Sequence, residues 1–250
     1  LRIKDYEELG GVAGALTRRA TEEYDNLVRE FGETSGKAYQ TTMRRVMLRM
    51  VTIEGGGVAR RRVPESELVY PDSEENKRVV QVSDQLVKAR LLVKGQETGE
   101  PYVEPAHDFL VRGWDKLQGW IKQEQEDLAL QQRLTPAAND WSIGKGGLWT
   151  REVERLARLE KALESSDNNW LNQRETEFVT ESKKQRLDEL KEAERQRDEA
   201  IQGQIGALSS LSEARMLTND QLGALFAGVK AGVQLKQAPQ LTEKLGVQVE

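Results

Sequence analysis

Cysteine is absent from this chain, and histidine occurs once, at His107. Without cysteine the protein can form no disulfide and has no thiol nucleophile. One imidazole without any thiolate supplies too few soft ligands for an ordinary zinc site. His107 is therefore the single imidazole available for any chemistry.

Long apolar runs are also missing. No stretch approaches the roughly 18 to 20 consecutive apolar residues of a membrane span, and the opening LRIKDYEELGG lacks the apolar core of a signal peptide. We therefore expect a cytoplasmic chain that neither crosses a membrane nor carries its own export signal. Because the sequence starts with Leu1 rather than Met, we also expect a fragment of a larger protein.

The usual nucleotide-binding loops and catalytic signatures do not occur. Gly144-Lys145 is followed by Gly146 instead of Ser or Thr, and Asn139 stands where a phosphate-binding loop has its first glycine. The glycine triplet at 55–57 does not complete a dinucleotide pattern. No nucleophile elbow accompanies His107. The sequence thus predicts a chain that is not an enzyme and binds no cofactor or metal by itself.

Charged residues are abundant but nearly balanced. The chain has 37 Lys and Arg against 42 Asp and Glu, a formal net charge of −5. It therefore has no overall attraction for phosphate backbones, and nucleic acid would need a local basic patch. A charged fraction of 32% suits exposed or elongated helices better than one compact globule.

Apolar residues spaced three and four apart predict that most of the chain is helical. The first helix should start near Gly11, and the second should follow Ser35 as its N-cap and run to about Val51. Arg49 falls mostly on the polar face of that second helix, with its neighbours Arg44 and Arg45. The predicted third helix is Glu74–Lys88.

Short strands are predicted between and after these helices. VARRRV is one candidate strand, and RLLVKGQETGEPYVEPAHD indicates a hairpin in which Leu91–Lys94 pairs with Tyr102–Glu104. Helix, strand, helix and hairpin in this order are typical of a winged helix. A different α+β arrangement with the same order of elements remains the alternative.

The rest of the chain is predicted to be helical. Tryptophan-rich helices follow His107, and Asp167 is a candidate N-cap for a later one. Lys183–Ala200 is almost entirely charged and alternates in sign, which is typical of a long solvated helix or a short coiled-coil arm. Ile201–Leu217 and Asn219–Lys236 are rich in Ala, Leu and Gly and predict an αα-hairpin.

His107 is the residue with the best claim to a specific role. It stands in EPAHDFLVRGW, where the predicted wing ends and the next helix begins. An imidazole there can donate a hydrogen bond outward from the helix N-terminus, and Asp108 can cap that terminus. The alternative is a capping or packing residue at a junction between domains.

Several segments resemble the region that follows the nucleotide-binding core in STAND NTPases, particularly bacterial ones that end in WD40 repeats. The segments are YEELGGVAGALTRRATEEY, VEPAHDFLVRGWDKLQGWI, DLALQQRLTPAANDW and LWTREVERL, which span most of residues 5–180 in order. DNNWLNQRETEFVTES and LSEARMLTNDQLGALFAGVKAGVQLKQ resemble the linker that precedes the WD40 propeller. No WD40 blade lies within the chain.

The resemblance implies a switch protein. ADP holds such proteins closed, a ligand on the C-terminal sensor releases them, and the ATP-bound protomers oligomerise. In related immune receptors a Met-His-Asp motif ends the winged helix, and its histidine contacts the ADP β-phosphate. AHDFL at Ala106–Leu110 is similar to that motif, with Ala106 in place of Met. The resemblance therefore implies that His107 is an ADP phosphate sensor with Asp108 as the helix cap beside it.

The predicted fold is mainly α with a small β-wing: a winged-helix-like module, then a helical bundle and a long exposed helix. The resemblance extends this to five segments. They are a helical connector from an absent NTPase core (1–34), a winged-helix-like domain (35–106), a Trp-rich helical domain (107–182), a charged strut with an αα-hairpin (183–236) and a connector toward a C-terminal sensor (237–250).

The predicted function is a non-catalytic regulatory and coupling segment of a STAND-type NTPase. The parent would bind ADP or ATP with Mg, and the partners would be its nucleotide-binding domain, its WD40 sensor and further copies after activation. A DNA-binding winged helix is an alternative, although the predicted third helix mixes both signs of charge. A purely structural scaffold is another, and it would need nothing from His107.

Overall fold

The computed structural model describes residues 11–97, 99–165 and 169–237. The predicted cap Asp167 and nearly all of the predicted connector 237–250 lie outside these residues. The chain divides into two compact units, Leu1–Lys183 and Lys184–Glu250. Among the described residues, no helix is long and apolar enough to cross a membrane.

The first unit is mainly α with a small β-wing. Its helices are α1 (Gly11–Phe31), α2 (Glu33–Arg49), a 3-10 turn (Glu65–Leu68), α3 (Ser73–Lys88), α4 (Asp108–Gly113), α5 (Asp115–Gln123), α6 (Gln125–Ser142) and α7 (Val153–Glu164). Its strands are β1 (Val51–Glu54), β2 (Gly57–Arg60), β3 (Val63–Pro64), β4 (Leu92–Glu97) and β5 (Glu100–Pro105).

The junction between α1 and α2 is tighter than the sequence predicted. The cap prediction for Ser35 is wrong, because α2 already starts at Glu33 with Gly32 at its N-cap. Gly32 has a φ of 77°, a left-handed conformation that glycine adopts without a steric penalty. At Gly36 a Cβ atom would lie 2.5 Å from the Val28 Cα, so only glycine permits this close approach of the two helices.

The strands form one two-stranded and one three-stranded antiparallel sheet. The prediction that Leu91–Lys94 pairs with Tyr102–Glu104 is confirmed, with Lys94 opposite Val103 in the β4–β5 hairpin. In the larger sheet, of order β3-β5-β4, the hairpin gains the short β3 as a third strand. The β1–β2 hairpin was not predicted as a pair, because only its second strand, in VARRRV, was recognised.

Two hydrophobic cores lie within the first unit. The first takes buried side chains from α1 through the start of α6, including Leu27, Trp114 and Leu128. The second begins at Leu130 and includes Phe178. The predicted boundaries at 34/35 and 106/107 do not separate these cores, because side chains on both sides of each boundary pack into the first one.

The remaining helices are α8 (Gln173–Leu217) and α9 (Gln221–Lys236). Residues 183–200 are part of α8 rather than a helix of their own, and their side chains are mostly exposed. Residues 201–217 also belong to α8. Asn219, with a φ of 64°, separates α8 from α9, and the Asp220 carboxylate caps α9 by accepting from the Gly223 N–H at 3.0 Å.

Candidate functional site

His107 lies between the wing and α4, where the sequence predicted it. Its backbone is extended, with φ −143° and ψ 139°, and it is the N-cap residue of α4. The imidazole is exposed and makes no capping hydrogen bond with the helix. The His107 carbonyl accepts from the Leu110 N–H at 3.1 Å. The side chain is therefore open to a ligand or partner that approaches the end of the wing.

Asp108 does not have the capping role predicted for it. It is the first residue of α4 rather than the N-cap, and its Oδ1 lies 3.0 Å from the Arg60 Nε. Arg60 also donates from Nη1 to the Pro105 carbonyl at 3.1 Å. Asp108 thus helps to attach β2 to the end of the wing, through an exposed contact of the kind that contributes little stability.

A second arginine joins the same two elements. The Arg112 Nε of α4 donates to the Val58 carbonyl of β2 at 3.1 Å. Together with Arg60, it fixes the β1–β2 hairpin against α4, immediately beside His107. This arrangement was not predicted, because only β2 of the β1–β2 hairpin was recognised as a strand.

A fully buried ion pair lies elsewhere in the first unit. Arg49 at the end of α2 and Glu175 in α8 are each 1% exposed at the side chain. Arg49 Nη1 donates to Glu175 Oε1 at 3.0 Å, and Nη2 donates to Oε2 at 2.6 Å. This parallel two-bond geometry is the strong form of an arginine–carboxylate contact.

Both partners have further hydrogen bonds. Arg49 Nε donates to the Tyr70 hydroxyl at 3.0 Å, and Nη2 also donates to the Trp170 carbonyl at 2.9 Å. The Thr135 hydroxyl of α6 donates to Glu175 Oε1 at 2.6 Å. Burying an ion pair is tolerable only when such additional bonds replace the lost water. We call Arg49, Tyr70, Thr135, Asn172 and Glu175 the root cluster.

The Glu175 carboxylate also takes part in capping the N-terminus of the 45-residue helix α8 (Gln173–Leu217). Asn172 Oδ1 accepts from the Glu175 N–H at 2.8 Å, and the Asn172 N–H donates to Glu175 Oε2 at 2.9 Å. This reciprocal pair is a capping box, which satisfies two backbone donors at a helix N-terminus. Glu175 therefore caps α8 and neutralises Arg49 at once.

The first turn of α8 is also bound to the segment around the 3-10 turn. Asn172 Nδ2 donates to the Glu67 carbonyl at 3.1 Å, and the Gln173 N–H donates to the Val69 carbonyl at 2.8 Å. Glu67 in turn accepts two bonds of 2.8 Å from Arg61. The N-terminal turn of α8 is thus held by α2, by α6 and by the segment around the 3-10 turn together.

In the root cluster, charge pairing and hydrogen bonding outweigh the effect of burial on the pKa values of Glu175 and Arg49. Burial by itself would raise the pKa of the Glu175 carboxyl, but Arg49 and the hydrogen bonds from Arg49, Thr135 and Asn172 lower it below its ordinary value. Burial raises the pKa of the Tyr70 phenol. Burial disfavours the charged form of Arg49, yet Glu175 and Tyr70 raise its pKa above the ordinary value. The ion pair is therefore the charged species over the physiological pH range.

These shifts predict a pH-dependent contribution to stability. Because the folded pKa of Glu175 is lowered, its contribution is complete above the unfolded pKa of about 4.3 and is lost as the pH falls through the folded value. We expect the difference in unfolding free energy between the wild type and Glu175→Gln to be largest near neutral pH and to shrink below about pH 4. Urea denaturation at a series of pH values measures it.

The control for this experiment is Glu177→Gln. Glu177 lies on the same turn of α8 but is exposed, so its substitution should change stability little at any pH. A Glu175→Gln difference that stayed constant from pH 7 to pH 3 would contradict the assignment of an ionised carboxylate.

A cleft of about 440 Å³ adjoins the root cluster. It is lined by residues of α2, among them Arg49, by residues of α5 and α6, and by Trp170. Arg44 and Glu124 face each other there, with Nη2 and Oε1 2.5 Å apart. Burial raises the pKa of Glu124, and Arg44 opposes that shift. The Arg44 Nε is buried and has no partner among the described residues. Arg44 and Glu124 thus pair within the cleft, whereas Arg45 and Asp127 pair with Glu75 and Arg158 outside its lining.

The root cluster was not predicted from the sequence. Helical periodicity placed Arg49 with Arg44 and Arg45 mostly on the polar face of α2, but Arg49 is buried because its partner comes from α8, 126 residues later. The Asn-x-x-Glu spacing of Asn172 and Glu175 is a readable capping-box signature and could have placed the helix start at Gln173. Among the described residues, no group of His, Cys, Asp and Glu is arranged to hold a metal ion.

The fold is a mainly α segment with a small β-wing. The family described as Novel STAND NTPase 1 (nSTAND1) matches residues 1–146. This match covers more than half of the 250 residues, so the chain belongs to the Novel STAND NTPase 1 family. No curated protein and no solved structure matched the chain. The matched part contains His107 and Arg49, and Glu175 lies beyond it.

Proposed function

We propose that this chain is a non-catalytic regulatory and coupling segment of a STAND-type signalling NTPase. In this role it transmits the state of a sensor to a nucleotide-binding core. The observation that carries the proposal is the root cluster, which binds the first turn of α8 to the winged-helix module through a buried ion pair. Family membership and the position of His107 support it.

The coupling follows from how the root cluster is built. Glu175 cannot leave Arg49 without also opening the capping box of α8, because one carboxylate serves both. A displacement of α8 would therefore either carry the winged-helix module with it or leave a buried charge unpaired. Packed side chains and hydrogen-bond networks of this kind carry coupling between sites when they have two discrete arrangements.

His107 is the proposed contact to nucleotide. Its exposed imidazole can donate to the β-phosphate of an ADP held by the upstream nucleotide-binding domain, where ATP with Mg would bind in the active state. Such a contact made only in the closed state would bias the switch toward that state. Arg60 and Arg112 would keep the His107 segment in place by fixing the adjoining hairpin.

The remaining partners follow from the same proposal. They are the upstream nucleotide-binding domain and a downstream WD40 sensor of the same protein, and the activated form would be a homo-oligomer in the cytoplasm. We propose no membrane and no nucleic-acid partner. A DNA-binding winged helix receives no support from α3, where Lys77 pairs with Glu74 and Arg78 pairs with Glu75.

The test of the proposed sensor is His107→Ala in a longer chain that carries the nucleotide-binding core. Removing a charge-assisted hydrogen bond of roughly 1.5 to 3 kcal/mol should shift the closed-to-open ratio about ten- to hundredfold. We expect faster release of fluorescent ADP and signalling without ligand. The same substitution in the 250-residue chain should leave the unfolding free energy within about 0.5 kcal/mol, because the side chain is exposed.

The matched control is His107→Gln, which keeps a side-chain donor and should restore slow ADP release in part. Unchanged ADP release in the alanine variant, together with a destabilised 250-residue chain, would assign His107 to a structural role and refute the proposed sensor.

A further inference from the structure

The cleft of about 440 Å³ beside the root cluster lies between α2 and the first half of α6. The Arg44 guanidinium of α2 contacts Glu124, directly before α6, at 2.5 Å. Further along, the Gln132 amide of α6 donates to the Thr52 hydroxyl, just after α2, at 3.3 Å. Residue numbers thus rise together on both sides, so α2 and α6 run in the same direction and the cleft lies along both. A volume of this size suits a small organic molecule.

The charges that line the cleft are already paired. Each contacts a group of opposite charge at an N–O distance between 2.5 and 3.0 Å: Arg44, Arg45, Arg49, Glu124 and Asp127. A ligand with a net charge would have to break one of these pairs or remain unpaired in a partly enclosed site, and both are unfavourable. The lining therefore favours a ligand without net charge.

Gln131 of α6 lines the same cleft, and its hydrogen bonds are not made. The residue is 8% exposed, yet its amide forms no hydrogen bond with any described residue. A carboxamide can both donate and accept, and a buried polar group that does neither is rare in folded proteins. The Arg44 Nε in the same lining is also buried without a partner among the described residues. A ligand in the cleft can supply the partners that the Gln131 amide lacks.

The other side chains of the lining include apolar ones. Leu48 and Leu128 are 5% and 4% exposed, and Trp170 contributes a half-buried indole. Ligand sites typically combine such aliphatic and aromatic surface with a few polar groups that fix the orientation of the ligand. An aromatic ring packs favourably on an indole. The lining therefore suits a flat ring that carries a hydrogen-bonding group for Gln131.

We propose that this cleft binds a small, uncharged aromatic amide. The amide of the ligand donates to and accepts from the Gln131 side chain, and its ring packs against Leu48, Leu128 and Trp170. The cleft does not include His107 and its ligand is not a nucleotide, so the site neither requires the proposed function nor fails with it. For a probe as small as benzamide, one ring and one amide predict a dissociation constant on the order of 1 mM.

Three probes of nearly the same shape test the chemistry on the wild-type chain. Benzamide has an uncharged donor and acceptor, benzoate is an anion without a donor, and acetophenone keeps the carbonyl but lacks the N–H donors. Binding is followed through the tryptophan indole N–H signals in heteronuclear NMR spectra, with the Trp170 signal assigned from Trp170→Phe. We expect benzamide to shift the Trp170 signal saturably, and benzoate and acetophenone to bind at least about tenfold more weakly.

Gln131→Leu tests the residue, since it keeps a side chain of similar size and removes the amide. We expect it to weaken benzamide binding at least about tenfold while the circular dichroism spectrum stays unchanged. The matched control is Gln125→Leu on the same helix, an exposed residue outside the lining, which should bind benzamide like the wild type. Gln131 also lines a neighbouring cleft of about 330 Å³ that Trp170 does not line, so a shifted Trp170 signal assigns the probe to the proposed cleft.

Three outcomes would overturn the proposal. The first is the absence of a saturable shift of the Trp170 signal up to about 20 mM benzamide, well above the expected dissociation constant. The second is equal affinity for benzamide and either of the other two probes, which would mean that the ring alone determines binding. The third is undiminished benzamide binding by Gln131→Leu. The comparison of the three probes uses only the wild-type chain, so it decides the matter even if Gln131→Leu does not fold.

Discussion

Arg49→Ala and Glu175→Ala are each expected to lower the unfolding free energy by about 3 to 5 kcal/mol, the effect of leaving one buried charge without its partner. Both side chains are 1% exposed, so water cannot replace the lost bonds. Loss of the Glu175 side chain also removes one half of the capping box of α8, the bond from the Asn172 N–H, while the bond from the backbone N–H of residue 175 to Asn172 Oδ1 remains. Urea denaturation followed by circular dichroism measures the change.

The double variant Arg49→Met with Glu175→Leu separates charge from packing. Replacing a buried ion pair by apolar groups of similar volume is often neutral or stabilising, although here the bond from the Asn172 N–H to the Glu175 carboxylate is still lost. We therefore expect the double variant to be more stable than either single alanine variant. Additive losses in the double variant would contradict a strongly coupled pair.

An exposed arginine provides the matched control. Arg158 of α7 contacts Asp127 at 2.7 Å, with 43% of its side chain exposed. Exposed pairs of this kind contribute about 0 to 1 kcal/mol. Arg158→Met should therefore change stability far less than Arg49→Ala, and an equal loss would mean that burial is not what makes the Arg49 pair important.

Trp114→Ala is the second substitution with a large expected effect, a loss of about 3 to 5 kcal/mol. The Trp114 ring is 1% exposed in the first core and packs edge-on against Trp120, with ring centroids 5.2 Å apart. Its Nε1 donates to the Thr21 hydroxyl at 3.0 Å. Removal of the ring leaves a cavity between α1, α4 and α5, and the Thr21 hydroxyl keeps its bond to the Thr17 carbonyl but loses the donor it accepted from.

Trp114→Phe distinguishes these contributions, since it keeps an aromatic ring but loses the hydrogen bond to Thr21. We expect it to be less destabilising than the alanine variant. A loss below about 1.5 kcal/mol for Trp114→Ala would show that the surrounding helices collapse into the space and that Trp114 does not hold the first core together.

The wing was predictable because its signals are local. Alternating apolar residues on both sides of a glycine-containing turn indicate a hairpin, and the strands β4 and β5 pair as expected. Helix α3 likewise starts within one residue of its predicted position, because Asp72 caps it by accepting from Glu74 and Glu75. Patterns within about ten residues carry enough information for elements of this kind.

The root cluster was not predictable in the same way. Nothing near Arg49 in the sequence distinguishes it from Arg44 and Arg45, and the residue that neutralises it follows 126 positions later. A helical wheel can place an arginine on the flank of a helix, but it cannot supply the partner that makes burial tolerable. Only the chain folded in three dimensions brings Tyr70 and Glu175 to the Arg49 guanidinium, and Thr135 to the Glu175 carboxylate.

The sequence by itself determined the mainly helical character, the wing, and the location of His107 between the wing and α4, because each depends on hydrophobic periodicity and short-range turn chemistry. The tertiary structure alone decided that Asp108 pairs with Arg60 rather than capping α4, and that Glu175 both starts α8 and neutralises Arg49. The physical reason is the same in both cases: an ionised side chain takes the oppositely charged partner that packing brings within reach, and that partner can come from any distance along the chain.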